Sequence, residues 1–401
     1  MGSRVRSTVV VVCAFLWTAA VFPQTVQLGG NTSLTFKGFI SATAFAQDQK
    51  FAFGNGQNAE WPIPPEAETD RWFGGGDVRN TRLTMVFDGP KVIGDWKVGG
   101  TIEMDFFGGF NGTGAFSGQQ PNPRLRFAFA DFTNGRTTIR AGQFWSPLFG
   151  NTAVSLSHLA FPLGYGSAGD IGWRFPGLFV YQTLTPKDSV VNADIQFAVM
   201  SGSWNKPDSP GNPLIDYGSA GNATWPQFEL RANVGGKAGT GTWSGYVVGH
   251  IDEKDLSGAG ASASGDKLTG SAVEIGAKFQ FGPVMIQGNG YSGRAIGQNF
   301  GQISQFGNIF SMGGWAQVGF DIDKNWSLFG FWGIDDPKDK DALAALGTAA
   351  RLKNEMYVGM VRWKVGQYAL GFEYLHAKLT SGPDKVKTKG NQVSLSTLFN
   401  F

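Results

Sequence analysis

Apolar and polar side chains alternate with a period of two in one segment after another along this chain, and each segment is bounded by Gly, Pro, Asn or Asp. From Trp96 to Phe107, the positions Trp96, Val98, Gly100, Ile102, Met104 and Phe106 alternate with Lys97, Gly99, Thr101, Glu103, Asp105 and Phe107. Phe228, Leu230, Ala232 and Val234 alternate likewise with Gln227, Glu229, Arg231 and Asn233, and Val273, Ile275, Ala277, Phe279 and Phe281 with Glu274, Gly276, Lys278 and Gln280. Successive side chains of a strand point to opposite faces, so the pattern predicts strands with one apolar and one polar face.

Alternation alone fits a soluble sandwich as well as a barrel in lipid, and the connections separate the two. Short turns at about Asp88 to Asp95, Thr133 to Arg136, Thr185 to Asp188, Gly235 to Gly241, Gly282-Pro283, Asp323 to Asn325 and Lys364 to Gln367 alternate with much longer segments rich in Gly, Ser and Asn. The long ones fall near 47 to 77, 108 to 122, 146 to 175, 201 to 225, 252 to 266, 294 to 311, 334 to 353 and 381 to 390. Such alternation of short and long connections predicts about sixteen strands, an even number that leaves both termini on the short-turn side. Trp96, Trp243, Phe281, Trp363 and Tyr368 fall on the apolar face beside short turns and predict one interfacial girdle. The expected fold is all-β: a transmembrane antiparallel β-barrel with short periplasmic turns and long extracellular loops.

Composition changes the picture in two ways. The 401 residues are only 42% hydrophobic, yet they hold 34 Phe, 13 Trp and 8 Tyr. Beyond the first 22 residues no apolar run is long enough for a spanning helix, which excludes a helical membrane protein. At the N-terminus, Arg4 and Arg6 precede an apolar core from Val9 to Phe22, a signal-peptide pattern over residues 1–24 ahead of a barrel domain at 25–401 in the bacterial outer membrane. Cys13 is the only cysteine and leaves with that segment, so no thiol chemistry is expected of the mature chain. Removal of Arg4 and Arg6 leaves 31 basic against 31 acidic side chains, and any charge preference must come from local placement.

The final segment sets Val393, Leu395, Thr397, Phe399 and Phe401 against Gln392, Ser394, Ser396, Leu398 and Asn400, and ends on Phe. An apolar alternating last strand with a terminal Phe resembles the signal by which bacterial outer-membrane barrels engage their assembly machinery. Thr81-Arg82-Leu83, Phe87-Asp88-Gly89-Pro90, Pro123-Arg124-Leu125-Arg126 and Ala141-Gly142-Gln143-Phe144-Trp145-Ser146 are similar to segments of trimeric general porins, particularly the DcaP-like group. The resemblance implies a homotrimer in outer-membrane lipid and uptake of dicarboxylates. It departs from the group in leaving no room before Ser33 for an N-terminal coiled coil.

The third long connection, about Phe144 to Phe175, runs to roughly 30 residues, well past the ~12 to 15 beyond which loops are uncommon and usually functional. It is apolar, with Leu148, Phe149, Val154, Leu156, Leu159, Phe161, Leu163 and Tyr165, and its formal charges are Asp170 and Arg174. Such a loop is a liability in water, so it is expected to fold inward against the barrel wall, as the porin resemblance also implies. Packing at a subunit contact or over the barrel mouth is the other reading.

Facing it, Arg82, Arg124, Arg126 and Arg140 fall at lumen parity. A three-residue turn at Asn134-Gly135-Arg136 sets Ala130 opposite Arg140 and Arg126 opposite Phe144, a register that turns Gln143 outward. Two readings of these arginines stay open. Either they form a basic strip that draws small anions through an eyelet, or they pair with Glu103 and Asp105 across the lumen. The expected function is passive diffusion of small hydrophilic solutes, with anions favoured; a sugar-selective channel using Trp61, Trp72, Trp204 and Trp225 is the alternative.

Other chemistry is sparse. His158, His250 and His376 lack metal-ligand spacing, so no metal, cofactor or enzymatic activity is expected. An outer-membrane lipid hydrolase would need a Ser beside a lipid-facing His, and Ser157-His158 lies in the inward loop. The run Asp335, Asp336, Asp339 and Asp341, interrupted by Lys338 and Lys340, reads as a solvated loop ahead of a calcium site. Glycines such as Gly74-Gly75-Gly76 follow no nucleotide-binding strand and helix, and nothing points to nucleic acid.

Overall fold

The computed structural model describes residues 24–52, 56–63, 71–111, 117–202, 225–255, 267–304 and 307–401. The strands are β1 (Gln24–Gly29), β2 (Thr32–Gln47), β3 (Phe73–Asp77), β4 (Arg82–Ile93), β5 (Trp96–Asp105), β6 (Arg124–Thr133), β7 (Thr137–Trp145), β8 (Arg174–Thr183) and β9 (Val191–Met200). They continue with β10 (Gln227–Ala238), β11 (Gly241–Asp255), β12 (Lys267–Phe281), β13 (Val284–Arg294), β14 (Phe310–Asp321), β15 (Trp326–Pro337), β16 (Arg351–Val365), β17 (Tyr368–Ser381) and β18 (Val386–Asn400). A short helix, α1 (Asp339–Leu346), sits in the loop between β15 and β16.

These segments build a closed antiparallel barrel of 16 staves. β3 and β4 lie end to end along β2, on Thr43–Gln47 and Ser33–Phe39, and form one interrupted stave. β1 folds back onto the stretch of β2 that β18 leaves free. The last strand returns to the first, with Asn400 opposite Phe39, and Phe401 and Gly38 exchange two backbone hydrogen bonds of 3.1 Å. Closure leaves the staves without a free edge.

Alternation divides the wall as the sequence predicts. Leu230, Val247, Ile275, Ile286, Val318, Leu328, Phe372 and Leu395 point outward and are exposed. Their inward neighbours, including Thr43, Gln47, Glu229, Glu274, Gln317, Glu373 and Ser396, are buried. An apolar band of this extent is a transmembrane surface. Near the short turns Trp96 stacks on Phe132 at 4.5 Å, Trp326 stands opposite Trp363, and Trp363 meets Tyr368 at 6.2 Å, which completes the girdle.

Two expectations about register fail. Residues 381–390 do not form a long loop: pairing runs to Ser381 opposite Val386, because Lys387 and Lys389 stay in the ladder with charged side chains turned outward. The β6–β7 turn closes on Thr133 opposite Thr138, so Asp131, and not Ala130, stands opposite Arg140, and Phe144 does not face Arg126. The Asn134 side chain holds this wider turn by accepting the backbone N–H groups of Arg136 and Thr137 at 3.0 and 2.8 Å.

Candidate functional site

The third loop, residues 146–173, lies inside the barrel, and lumen-facing polar side chains grip its backbone in succession. The Leu148 N–H donates to Glu229 Oε2 at 2.7 Å, while Arg231 donates to the carbonyls of Pro147 and Phe149 at 2.9 and 3.0 Å. Val154 exchanges two bonds with the Gln317 amide at 2.7 and 2.8 Å. Glu373 accepts from the Ser155 hydroxyl and from the N–H groups of Leu156 and Ser157, all at 2.7 to 2.8 Å. Asn80, in the break between β3 and β4, donates to Ser157 O and accepts from the Ala160 N–H. A buried loop needs such partners for its backbone.

Apolar packing decides which wall the loop lies against. β13 to β17 carry apolar residues on their inward face as well as outside. Phe331, Met356, Val358, Leu375 and Ala377 bury Ala153, Leu163 and Ala168, and Met285, Phe329, Met360 and Ala369 bury Leu156. The gripping residues Glu229, Arg231, Gln317 and Glu373 escaped the sequence reading. The available signal was a pair of apolar faces on β15 to β17, which announces that something covers the inner one.

On the opposite wall the structure gathers most of the expected site residues. Arg124 makes a bidentate contact with Asp105 at 3.0 and 2.6 Å. Arg126 bridges Glu103 at 2.8 Å and Asp105 at 3.0 Å, and Arg82 lies 3.7 Å from Glu103. The same guanidiniums hold the loop: Arg82 donates to Leu159 O at 3.0 Å, Arg126 reaches Ala160 O, and Arg124 stacks on Phe161 at 4.6 Å. Arg174 is buried over the indoles of Trp145 and Trp173, at 4.8 and 4.6 Å. The Arg82 and Arg124 side chains keep 18% and 19% exposure against 2% for Arg126, so the third is the buried member of the cluster.

Arg126 reaches this cluster through a bulge. Glu103 pairs with Phe127 and Met104 with Leu125, which leaves Arg126 as the extra residue and turns it into the lumen. Gln143 does point outward, and there its amide donates to the Arg126 carbonyl at 3.0 Å, satisfying the backbone group the bulge releases.

Arg140 stands apart from the cluster. It forms a bidentate pair with Asp131, both contacts 2.8 Å, and lies 3.6 Å over Phe129 and 4.0 Å over Phe144. Asp170 is also separate: fully buried in the loop, its carboxyl is pushed well above the usual range by burial and by the charge of Glu274. A cavity of 630 Å³ opens near the start of the loop, bordered by Asn151, Asp194, Arg231, Asn233, Ser244 and Tyr246.

The remaining candidates resolve individually. Ser157 and His158 hydrogen-bond to each other at 2.8 Å but are buried in the lumen, remote from lipid. The acidic run points four ways, with Asp335 to Tyr291 and Ser311, Asp336 toward Lys353, Asp339 to Lys385 and Asp341 to Arg294. Trp61 is buried under Arg351 while Trp72 is exposed, and Trp204 lies outside the described residues.

No protein-family model matches the chain, and no curated protein matches it. Solved structures do. The outer membrane channel DcaP of Acinetobacter baumannii is similar at 19% identity and a TM-score of 0.67, over 96% of this chain and 100% of that one. An anion-selective porin from Comamonas acidovorans follows at 13% identity and 0.60, over 92% and 100%. The trimer form of OmpT, an outer membrane protein of Vibrio cholerae, is similar at 9% and 0.50, over 92% and 99%. The chain thus has the fold of the bacterial outer-membrane porins, with an inward third loop clamped between an apolar wall and an arginine-bearing one.

Proposed function

We propose that the protein is an outer-membrane diffusion channel that favours small anions, dicarboxylates among them. The observation behind this reading is the charge balance where the third loop meets β4 to β8: Arg82, Arg124, Arg126 and Arg174 stand against Glu103 and Asp105. Internal pairing consumes two of the four positive charges, and the excess acts across low-dielectric walls that focus its field along the pore. Arg82 and Arg124, the less buried of the cluster, are the groups that meet the solute, and two guanidiniums on β4 and β6, with β5 between them, suit a molecule with two carboxylates. Arg140, paired with Asp131, contributes shape more than charge. The similarity to an anion-selective porin from Comamonas acidovorans supports the same direction.

In this reading residues 1–24 are the export signal, the strand ending at Phe401 engages the assembly machinery, and three copies associate as in the trimer form of the Vibrio cholerae protein. Refolded protein in a planar bilayer tests the function. Stepwise conductance, a reversal potential of anion-selective sign in a salt gradient and a current lowered by added succinate are expected. A cation-selective reversal potential would overturn the anion preference.

A further inference from the structure

We propose that the cavity on the periplasmic side of the third loop is a second solute subsite, built for α-amino acids, in which Arg231 takes the carboxylate and Asp194 the ammonium. It goes beyond the anion reading of the channel and uses none of Arg82, Arg124, Arg126 or Arg174. The cavity, 630 Å³ in volume, lies between Asn151 at the start of the loop and the inward face of β9 to β11, near the short turns that precede β9 and follow β10.

Alternation places Asp194 on β9, Asn233 on β10 and Tyr246 on β11 in one inward row, with Arg231 at the next inward position of β10. Gly276 continues the row on β12, and a Cβ there would come within 2.3 Å of the Tyr246 ring, so the glycine gives that ring its place. The Tyr246 hydroxyl donates to Glu274 Oε1 at 2.5 Å, and the Arg231 guanidinium lies over the ring at 3.7 Å. Nη1 of the same guanidinium donates to the carbonyls of Pro147 and Phe149. A guanidinium stacked and tied in this way keeps one orientation, which lowers the ordering cost of binding to it.

Elsewhere in the lumen arginines pair with carboxylates directly, Arg124 with Asp105 at 2.6 Å and Arg126 with Glu103 at 2.8 Å. Arg231 and Asp194 are instead joined through the Asn233 amide, which accepts from Arg231 Nε at 2.7 Å and donates to Asp194 Oδ1 at 2.8 Å. Only this orientation of the amide serves both charges, because a guanidinium has no acceptor and a carboxylate no donor. Gln196 also donates to Asp194 Oδ1, at 3.3 Å. Among the described residues, Arg231 Nη2 and Asp194 Oδ2 are left without a hydrogen-bond partner, a donor and an acceptor on side chains that border one cavity. A molecule with a carboxylate and an ammonium on the same carbon completes both as charge-assisted hydrogen bonds. A dicarboxylate would set its second negative charge against Asp194. Ser189, Thr242 and Ser244 line the remainder, and their hydroxyls suit a polar side chain.

Aspartate and succinate differ by one amino group, and their block of the chloride current through the refolded protein in a planar bilayer tests the subsite. Asp194→Asn keeps the Oδ1 acceptor for Asn233 and Gln196 and removes the charge. It should raise the aspartate concentration that halves the current about tenfold and should not raise that for succinate. A parallel shift for both solutes, no shift for aspartate, or no block of the wild type by aspartate would overturn the subsite. Arg82→Gln with Arg124→Gln reads the channel separately. If that variant keeps the wild-type ion selectivity and succinate block, the arginine eyelet fails, while the aspartate-specific response to Asp194→Asn still decides the subsite.

Discussion

The two halves of the lumen wall follow one alternation and reach opposite states. On β13 to β17 the inward positions include Met285, Trp315, Phe329, Phe331, Met356, Val358, Met360 and Leu375, and the third loop packs onto them. On β4 to β8 the inward positions are arginines, carboxylates and aromatic rings, and the loop meets the arginines through the carbonyls of Leu159 and Ala160 and the ring of Phe161. Burial of apolar surface is favourable at about 25 cal/mol per Å², whereas burying a guanidinium is costly unless it is paired and hydrogen-bonded. The loop therefore packs its apolar side chains against the apolar wall and meets the charged one through backbone carbonyls and an aromatic ring.

Breaking the loop's grip should have the largest effect on this contrast. Replacing Glu373 and Gln317 by Leu removes the acceptors of Ser155, Leu156, Ser157 and Val154. This should weaken docking by on the order of 3 kcal/mol or more. Single-channel conductance should rise and protease should cut within residues 146–173; unaltered conductance would separate loop position from the wall's chemistry.

Next in size is the charged side. Arg82→Gln with Arg124→Gln should lower the anion-to-cation permeability ratio by about tenfold, read from the reversal potential. A smaller effect comes from salt: between 0.1 and 1 M the screening length drops from about 10 to 3 Å, so wild-type selectivity should fall toward that of the double variant. Selectivity indifferent to both changes would remove the arginines from the solute path.

A weaker test concerns the loop's interior. Burial holds the His158 imidazole down at about 4, below its ordinary 6.5. The unfolded chain then takes up this proton first, so the stability linked to His158 is complete above about 6.5 and is lost as pH falls toward 4. Thermal unfolding across that window should decline in the wild type and decline less in His158→Gln. The smallest effect is expected from Gln143→Ala, which uncaps the bulge at Arg126 and should cost about 1 kcal/mol in urea unfolding, with conductance preserved.

Much of the barrel was legible because a period of two has few explanations in a chain this aromatic. The inward third loop was legible for a related reason, since Leu148 to Tyr165 are too apolar to stand in water. Register was not legible where one residue decides it. Arg126 reaches the lumen only through a bulge, and the wider turn at Asn134 brings Asp131 opposite Arg140, shifts that no hydrophobic pattern records. The sequence left open whether the arginines attract solute or pair with acids, and the geometry gives Arg124, Arg126 and Arg140 close carboxylate partners and Arg82 a looser one at 3.7 Å, with Arg82 and Arg124 less buried than Arg126. Lys387 and Lys389 were mistaken for loop because a strand that rises past the hydrocarbon loses its apolar face without losing its pairing.

The seam between β2 and β18 has a consequence for manufacture. The residues that join there, such as Thr43 and Ser396 with their 2.8 Å hydrogen bond, are 353 positions apart, and the final contact belongs to Phe401 itself. Closing so long a loop costs only slightly more than closing a shorter one, because the entropy grows with the logarithm of length. The constraint is one of timing: the ring stays open, with two unpaired edges, until β18 has been delivered. A chain without β18 therefore exposes unpaired strand edges, which are templates for pairing with other chains.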